Sequence, residues 1–271
     1  MMKKSLIPLL IAIAALFTLP LFIHNPYYIH LVETILIYTI LLFGLDIVVG
    51  YVGQVSLGHA ALFGIGSYTA GVLYFHFGWT IWGTLPASIV VTAIFGGILA
   101  LPALKVIGPY LAMVTLAFGT IAQILINEMT WLTEGPLGIK IPKPELMGVP
   151  MTKAEYFWMV GIILILSMII VDRFVKSQIG RAFEALRDSP IACDCMGVSV
   201  YRFKVIAFVI SAGFAGLAGC LYAYSEQYIS PNTYNNELAV LFLLGIIMGG
   251  RKSRIGAVIG AAIIVLLPKL L

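Results

Sequence analysis

No Asp, Glu, Lys or Arg occurs between Asp46 and Lys105, and none between Lys105 and Glu128. A water-soluble fold cannot be built on such stretches, because about a quarter of its residues are normally charged. Here charged residues make up 10% of the chain and hydrophobic residues 61%, and the mean hydropathy is +1.04. The chain is expected to take lipid as its solvent and to fold as an all-α, polytopic integral membrane helical bundle. Its function then involves moving a solute across a bilayer, sensing across it, or doing chemistry within it.

A membrane-spanning helix needs about 20 mostly apolar residues, so the 271 residues leave no room for a sizeable soluble domain. The apolar runs place nine spans, near 5–23, 29–49, 58–77, 81–104, 107–127, 155–172, 203–224, 237–250 and 255–271. All are expected to be helices of a single domain over 1–271, since lipid cannot satisfy an open backbone. The run Val160–Leu166 lacks the alternation of a barrel strand. No glycine-rich loop ending in Gly-Lys-Ser/Thr occurs, so any ATP-driven motor must be another chain.

The basic residues orient the chain. With Lys3 and Lys4 in the cytoplasm, alternating spans also place there Lys105, Arg173, Lys176, Arg181, Arg187, Arg202, Lys204, Arg251, Lys252 and Arg254. Lys140, Lys143, Lys153 and Lys269 then lie outside. The positive-inside rule favours this arrangement, with a cytoplasmic N-terminus. Residues 5–23 follow a basic head, as a signal peptide would, but Thr18-Leu-Pro-Leu-Phe22 lacks a small-x-small cleavage site. A retained first helix is expected.

Two loops stand out. The outer one, 128–154, is rich in Pro and Gly (Gly135, Pro136, Gly138, Pro142, Pro144, Gly148, Pro150) and suits an ordered irregular cap. The inner one, 173–204, reads as two short helices. Good helix formers fill 181–187, Ser189 and Pro190 suit a new helix start, Gly197 suits a stop, and Ser199 can cap the next span. It is either a solvated loop that anchors topology or a coupling element that fits a cleft on a motor protein.

The segment from Gly50 to His59 breaks one apolar run and starts another. Its polar side chains Gln54, Ser56 and His59 either line a cavity at an interrupted helix or hydrogen-bond between helices. Small residues four apart, Ala60/Gly64, Gly66/Ala70, Ala212/Gly216, Ala215/Gly219 and Gly256/Gly260, predict closely packed helices. Glu33 is placed near the outer surface and Asp46 near the inner end of its helix, in structural or interfacial roles. Cys193 and Cys195 have no further ligand nearby, so no metal is expected, and Cys220 reads as a packing residue. A free-standing secondary transporter would want buried coupling charges, for which Asp46 is a poor sole candidate. A membrane-embedded enzyme would want converging His or acidic residues, whereas His24, His30, His59 and His76 are scattered.

Gly50-Tyr-Val-Gly-Gln-Val-Ser-Leu-Gly-His-Ala-Ala-Leu-Phe-Gly-Ile-Gly-Ser-Tyr-Thr-Ala70 resembles the pattern of the LivM family, the permease subunits of branched-chain amino acid ABC transporters. Thr115-Leu-Ala-Phe118, Thr133–Ile139, Gly180–Asp188 with Ala192 and Met196-Gly197, and Tyr201–Gly219 agree with it in order. The turn Gly249-Gly-Arg-Lys-Ser253 departs from it: Lys252 stands where the family usually has glycine, and Arg254 adds charge. The chain also ends at Leu271, where relatives often continue, so a short last span is expected.

The resemblance implies a multi-pass permease of the prokaryotic cytoplasmic (inner) membrane. It would pair with a second, related permease. Two ABC ATPases would drive it, and an extracytoplasmic solute-binding protein would deliver leucine, isoleucine or valine; urea or short amides are the alternative cargo. ATP would be used by the partner subunits, with no catalytic residue, cofactor or nucleic acid on this chain. The implied coupling residues are Gly180, Arg181, Ala182, Glu184, Ala185, Arg187, Asp188, Ala192 and Gly197. Gln54, Ser56, His59 and Thr115 are the candidates for the translocation path.

Overall fold

The computed structural model describes residues 25–103, 106, 108–146 and 149–270. The expected first span, 5–23, and Lys105 lie outside them. Within the described residues, each of the remaining eight expected spans overlies a helix. In chain order these are α1 (Pro26–Asp46), which continues into a π-helical turn (Ile47–Tyr51), α2 (His59–Phe77), α3 (Ile81–Ala103) and α4 (Pro109–Glu128). After the short α5 (Thr130–Thr133) come α6 (Lys153–Lys176), α7 (Gln178–Asp188), α8 (Pro190–Cys195), α9 (Val200–Glu226), α10 (Asn236–Gly249) and α11 (Arg254–Leu270). Among the described residues, six helices are long and apolar enough to cross a membrane, namely α1 with its π turn, α2, α3, α4, α6 and α9.

Helix ends follow local chemistry. Thr152 and Glu155 form a reciprocal capping box at the start of α6. Ser177, Ser189 and Ser199 accept from the backbone N–H of Gly180, Ala192 and Arg202 at the starts of α7, α8 and α9.

α9 sits at the centre, packed at once on α1, α2 and α3. α1 is the other core helix, with Ile37, Ile40, Leu41, Leu42 and Leu45 fully buried. The expected small-residue contacts are made. A Cβ on Gly66 would lie 2.6 Å from the Gly216 Cα, and one on Gly219 would lie 2.2 Å from the Phe63 carbonyl oxygen. α10 and α11 cross as closely, with Gly249 against Gly256 and Gly245 against Gly260. Outward faces are apolar, as at Val90, Ile94 and Ile98 of α3 and Ile121, Ile124 and Leu125 of α4. Water would not tolerate so continuous an apolar surface.

α10 is shorter than the hydrocarbon core of a bilayer, which is about 30 Å thick. Its 14 residues span about 21 Å. The preceding segment makes up the difference by dipping back into the bundle. Strand β4 (Tyr228–Ile229) pairs antiparallel with β1 (Ile139–Lys140) of the 128–154 loop. Ile229 lies against Gly71, and the Tyr234 ring then packs on Gly64, about 10 Å further along α2. Within that loop, β2 (Glu145–Leu146) and β3 (Val149–Pro150) form a second small hairpin.

Candidate functional site

Arg173, Lys176, Arg181, Arg187, Arg202, Lys204, Arg251, Lys252 and Arg254 gather at one end of the bundle, while Lys140, Lys143 and Lys153 lie at the other. At the first, basic end the π turn, the α2 entry, α7, α8 and the α10–α11 turn meet. α7 follows α6 after one residue. Its amphipathic face buries Phe183 and Leu186, with Phe183 against the rings of Phe174 and Phe203. Gly180 is required because a Cβ there would lie 2.0 Å from the Val175 carbonyl oxygen.

The expected coupling residues divide between two faces. Arg181, Ala185, Asp188, Ala192 and Gly197 are exposed, and Ala182 is half-buried. Gly197 ends α8 with φ +78°, a conformation that glycine adopts freely. Arg187 and Glu184 are exposed as well but reach back to this chain. Arg187 Nη1 donates to the Gly50 carbonyl (3.0 Å), and its stem covers Gly53. Glu184 Oε1 pairs with Lys252 Nζ at 2.8 Å. Ile191 and Met196 stand out, 78% and 82% exposed. Beside them an open groove of about 490 Å³ is lined by Pro190, Ile191, Asp194, Cys195, Ser199, Val200, Tyr201 and Lys204. Exposed apolar side chains on and beside a capped, held helix are the surface a partner would bury.

The break after Gly50 is real: residues 52–58 are non-helical. It lies at the basic end, against α7, rather than halfway along the bundle. Ser56 and His59 are 1% exposed, and Thr115 and Ser211 are fully buried. The Ser211 hydroxyl gives its one proton to the Gly44 carbonyl (2.7 Å), so it accepts from His59 Nε2 (2.6 Å). This fixes the Nε2–H tautomer, and Nδ1 accepts from Ser56 (3.1 Å). Thr115 Oγ1 accepts from the Leu57 N–H (2.9 Å) and donates to the Ala112 carbonyl (3.0 Å). These three candidates therefore complete their hydrogen bonds within this chain and tie the α2 entry to α1, α4 and α9. Gln54 differs: it is half-buried, and its buried Oε1 has no hydrogen-bond partner among the described residues.

The two acidic residues of α1 are both held. Asp46 accepts from the Lys252 N–H (3.0 Å) and lies 3.8 Å from Arg254 Nη1. Arg254 Nε donates to Asp172 at 2.7 Å. At the far end Glu33 accepts from the Ser225 hydroxyl, with His30 and Glu226 paired beside it (3.2 Å).

The sequence profile of the family described as branched-chain amino acid transport system, permease component, matches residues 27–271. The high-affinity branched-chain amino acid transport system permease protein LivM of Salmonella typhimurium is 36% identical over 255 residues, which cover 85% of this chain and 60% of that protein. LivM of Escherichia coli is 35% identical over the same shares. LivH of Escherichia coli, named as a permease protein of the same kind of system, is 23% identical over 84% of this chain and 79% of its own length. The chain thus spans about 60% of the length of the LivM proteins it matches. No solved structure matches it. The chain belongs to the branched-chain amino acid transport permease family.

Proposed function

We propose that this chain is a permease subunit of an ATP-driven ABC importer for leucine, isoleucine and valine. It forms the translocation path with a second permease, as the names of the LivM and LivH relatives suggest. The basic end faces the cytoplasm of a prokaryotic inner membrane, as the positive-inside rule requires. The α7–α8 segment docks on one of two ATPases, which hold the nucleotide sites. A solute-binding protein delivers cargo at the far end, beside the 128–154 loop. Gln54 faces the path, while Ser56, His59 and Thr115 hold its wall by packing.

The observation that carries this reading is the exposed apolar pair Ile191 and Met196. It sits on helices fixed to the bundle by caps, an aromatic cluster and two polar contacts. A solvated loop would need none of these supports. Arg181 and Asp188 supply flanking charge that fixes the docking register.

Assembly of the purified subunits tests the reading. The chain with Ile191→Glu should still bind the second permease but lose the ATPases. Retained ATPase binding would place the docking surface elsewhere. Solute uptake by this chain without ATPases, driven by a proton or sodium gradient, would refute the importer reading.

A further inference from the structure

Two contacts of α7 reach parts of the bundle that are not its neighbours along the chain. α6 and α9 flank the α7–α8 segment and move with it through the backbone. The α1–α2 connection and the α10–α11 turn have no such link. Yet Arg187 binds the Gly50 carbonyl and covers Gly53 in the first, and Glu184 binds Lys252 in the second. Glu184 and Arg187 are three residues apart, hence on one face of the helix.

Lys252 is an unusual residue for its place. Its φ is +61°, a left-handed conformation that costs any residue with a Cβ and suits glycine. Stability alone does not account for a lysine there. Its side chain and that of Glu184 are about a third and a half exposed, at 32% and 47%, and such pairs contribute little to folding. What the lysine adds is a bridge. Its backbone N–H is held by Asp46 of α1 (3.0 Å), its Nζ by Glu184 of α7 (2.8 Å), and the same Nζ lies 5.3 Å from the centre of the Tyr51 ring in the π turn.

We propose that Lys252 is a positioning residue: through Glu184 it makes the α10–α11 turn move with α7, while Arg187 makes the α1–α2 connection do the same. The two contacts form a clamp that spreads a displacement of α7 across the basic end of the bundle. This rests on the reading of α7–α8 as the ATPase-docking segment, in which Glu184 and Arg187 act inward and Ile191 and Met196 outward.

The test uses the complete transporter in proteoliposomes, with this chain, its partner permease, the ATPases and the binding protein. It reads leucine taken up per ATP hydrolysed, together with cross-linking of Ala192→Cys to the ATPase. Lys252→Gly relieves the backbone strain and removes only the bridge, so the chain folds. Uptake per ATP should fall several-fold while hydrolysis continues. Glu184→Gln should do the same, and the pair together no worse than either alone. The exchange Glu184→Lys with Lys252→Glu keeps a side chain at the strained position, recreates the ion pair and should restore the ratio; a ratio that stays low in the exchanged chain would overturn the clamp. An unchanged ratio in Lys252→Gly and Glu184→Gln, with cross-linking intact, would overturn the clamp and leave the docking reading standing. Absence of the cross-link in the otherwise unaltered chain would overturn the docking reading and the clamp with it.

Discussion

Replacing Gly219 by alanine puts a methyl group where α9 has no room for one. The new carbon would lie 2.2 Å from the Phe63 carbonyl oxygen and 2.9 Å from the Ser67 nitrogen. Both neighbours are backbone of α2, so no side chain can swing away. Restoring ordinary contact requires α2 and α9 to part by about 1 Å, and such overpacking costs roughly 1–3 kcal/mol. The same movement breaks the bond from Ser67 Oγ to the Gly219 carbonyl, now 2.7 Å, at about 1 kcal/mol. Removing a helical glycine returns at most about 1 kcal/mol. The net loss is about 2 kcal/mol, a factor of roughly 30 in the folding equilibrium. Gly213 is the control on the same helix. Its Cβ would meet only Ile89 Cγ2, at 3.5 Å, so Gly213→Ala should be neutral or stabilising by up to about 1 kcal/mol. Thermal unfolding of the purified chain in mild detergent, followed by tryptophan fluorescence, should place Gly219→Ala roughly 4–8 °C below the unaltered chain. A Gly219→Ala chain that melts with or above the unaltered one would refute the claim that backbone contact sets this packing.

Other substitutions probe the basic end and the loop. Ser211→Ala should cost about 1–3 kcal/mol, because it strands the His59 Nε2–H in a dry interior, while the Gly44 carbonyl keeps its bond from the Ile47 N–H; unfolding in detergent reads it, and a loss under about 1 kcal/mol would contradict the hydrogen-bond chain. Thr152→Ala should cost about 1 kcal/mol through loss of the capping box at the α6 start, measured the same way. Arg187→Ala should change the unfolding midpoint little, since the side chain is exposed, but should speed tryptic cleavage at Arg181 by loosening α7. An unchanged cleavage rate would show that the Gly50 contact does not hold the helix.

The local parts of this fold were legible in the residues. Caps at Ser189 and Ser199, the stop at Gly197 and the small-residue contacts of Gly216, Gly219, Gly256 and Gly260 each depend on a few neighbouring residues, or on a spacing of four. Six of the nine expected spans, those on α1, α2, α3, α4, α6 and α9, followed from hydropathy for the same reason. Contacts between distant residues were not legible. Nothing near Asp46 indicates that its carboxylate meets the Lys252 N–H, because that partner is set by how the helices pack. The return of residues 228–235 into the bundle was also missed, although the polar run Ser230-Pro-Asn-Thr-Tyr-Asn-Asn236 ahead of a 14-residue apolar helix signals a chain that starts below the surface. For Gln54, Ser56, His59 and Thr115, polarity in an apolar stretch identified residues with a partner to find. It could not separate a wall held by hydrogen bonds, as at His59, from a group such as Gln54 whose oxygen has none among the described residues.

The central claim is that this chain moves branched-chain amino acids only when ATPases drive it. Its most direct test is uptake of labelled leucine, against labelled urea, into proteoliposomes holding this chain with the second permease, the ATPases and the binding protein, with and without ATP on the ATPase side. The account predicts leucine uptake that requires ATP and every subunit, and no uptake of urea. Urea uptake in place of leucine would contradict the cargo, and leucine uptake without ATP or ATPases would contradict the mechanism.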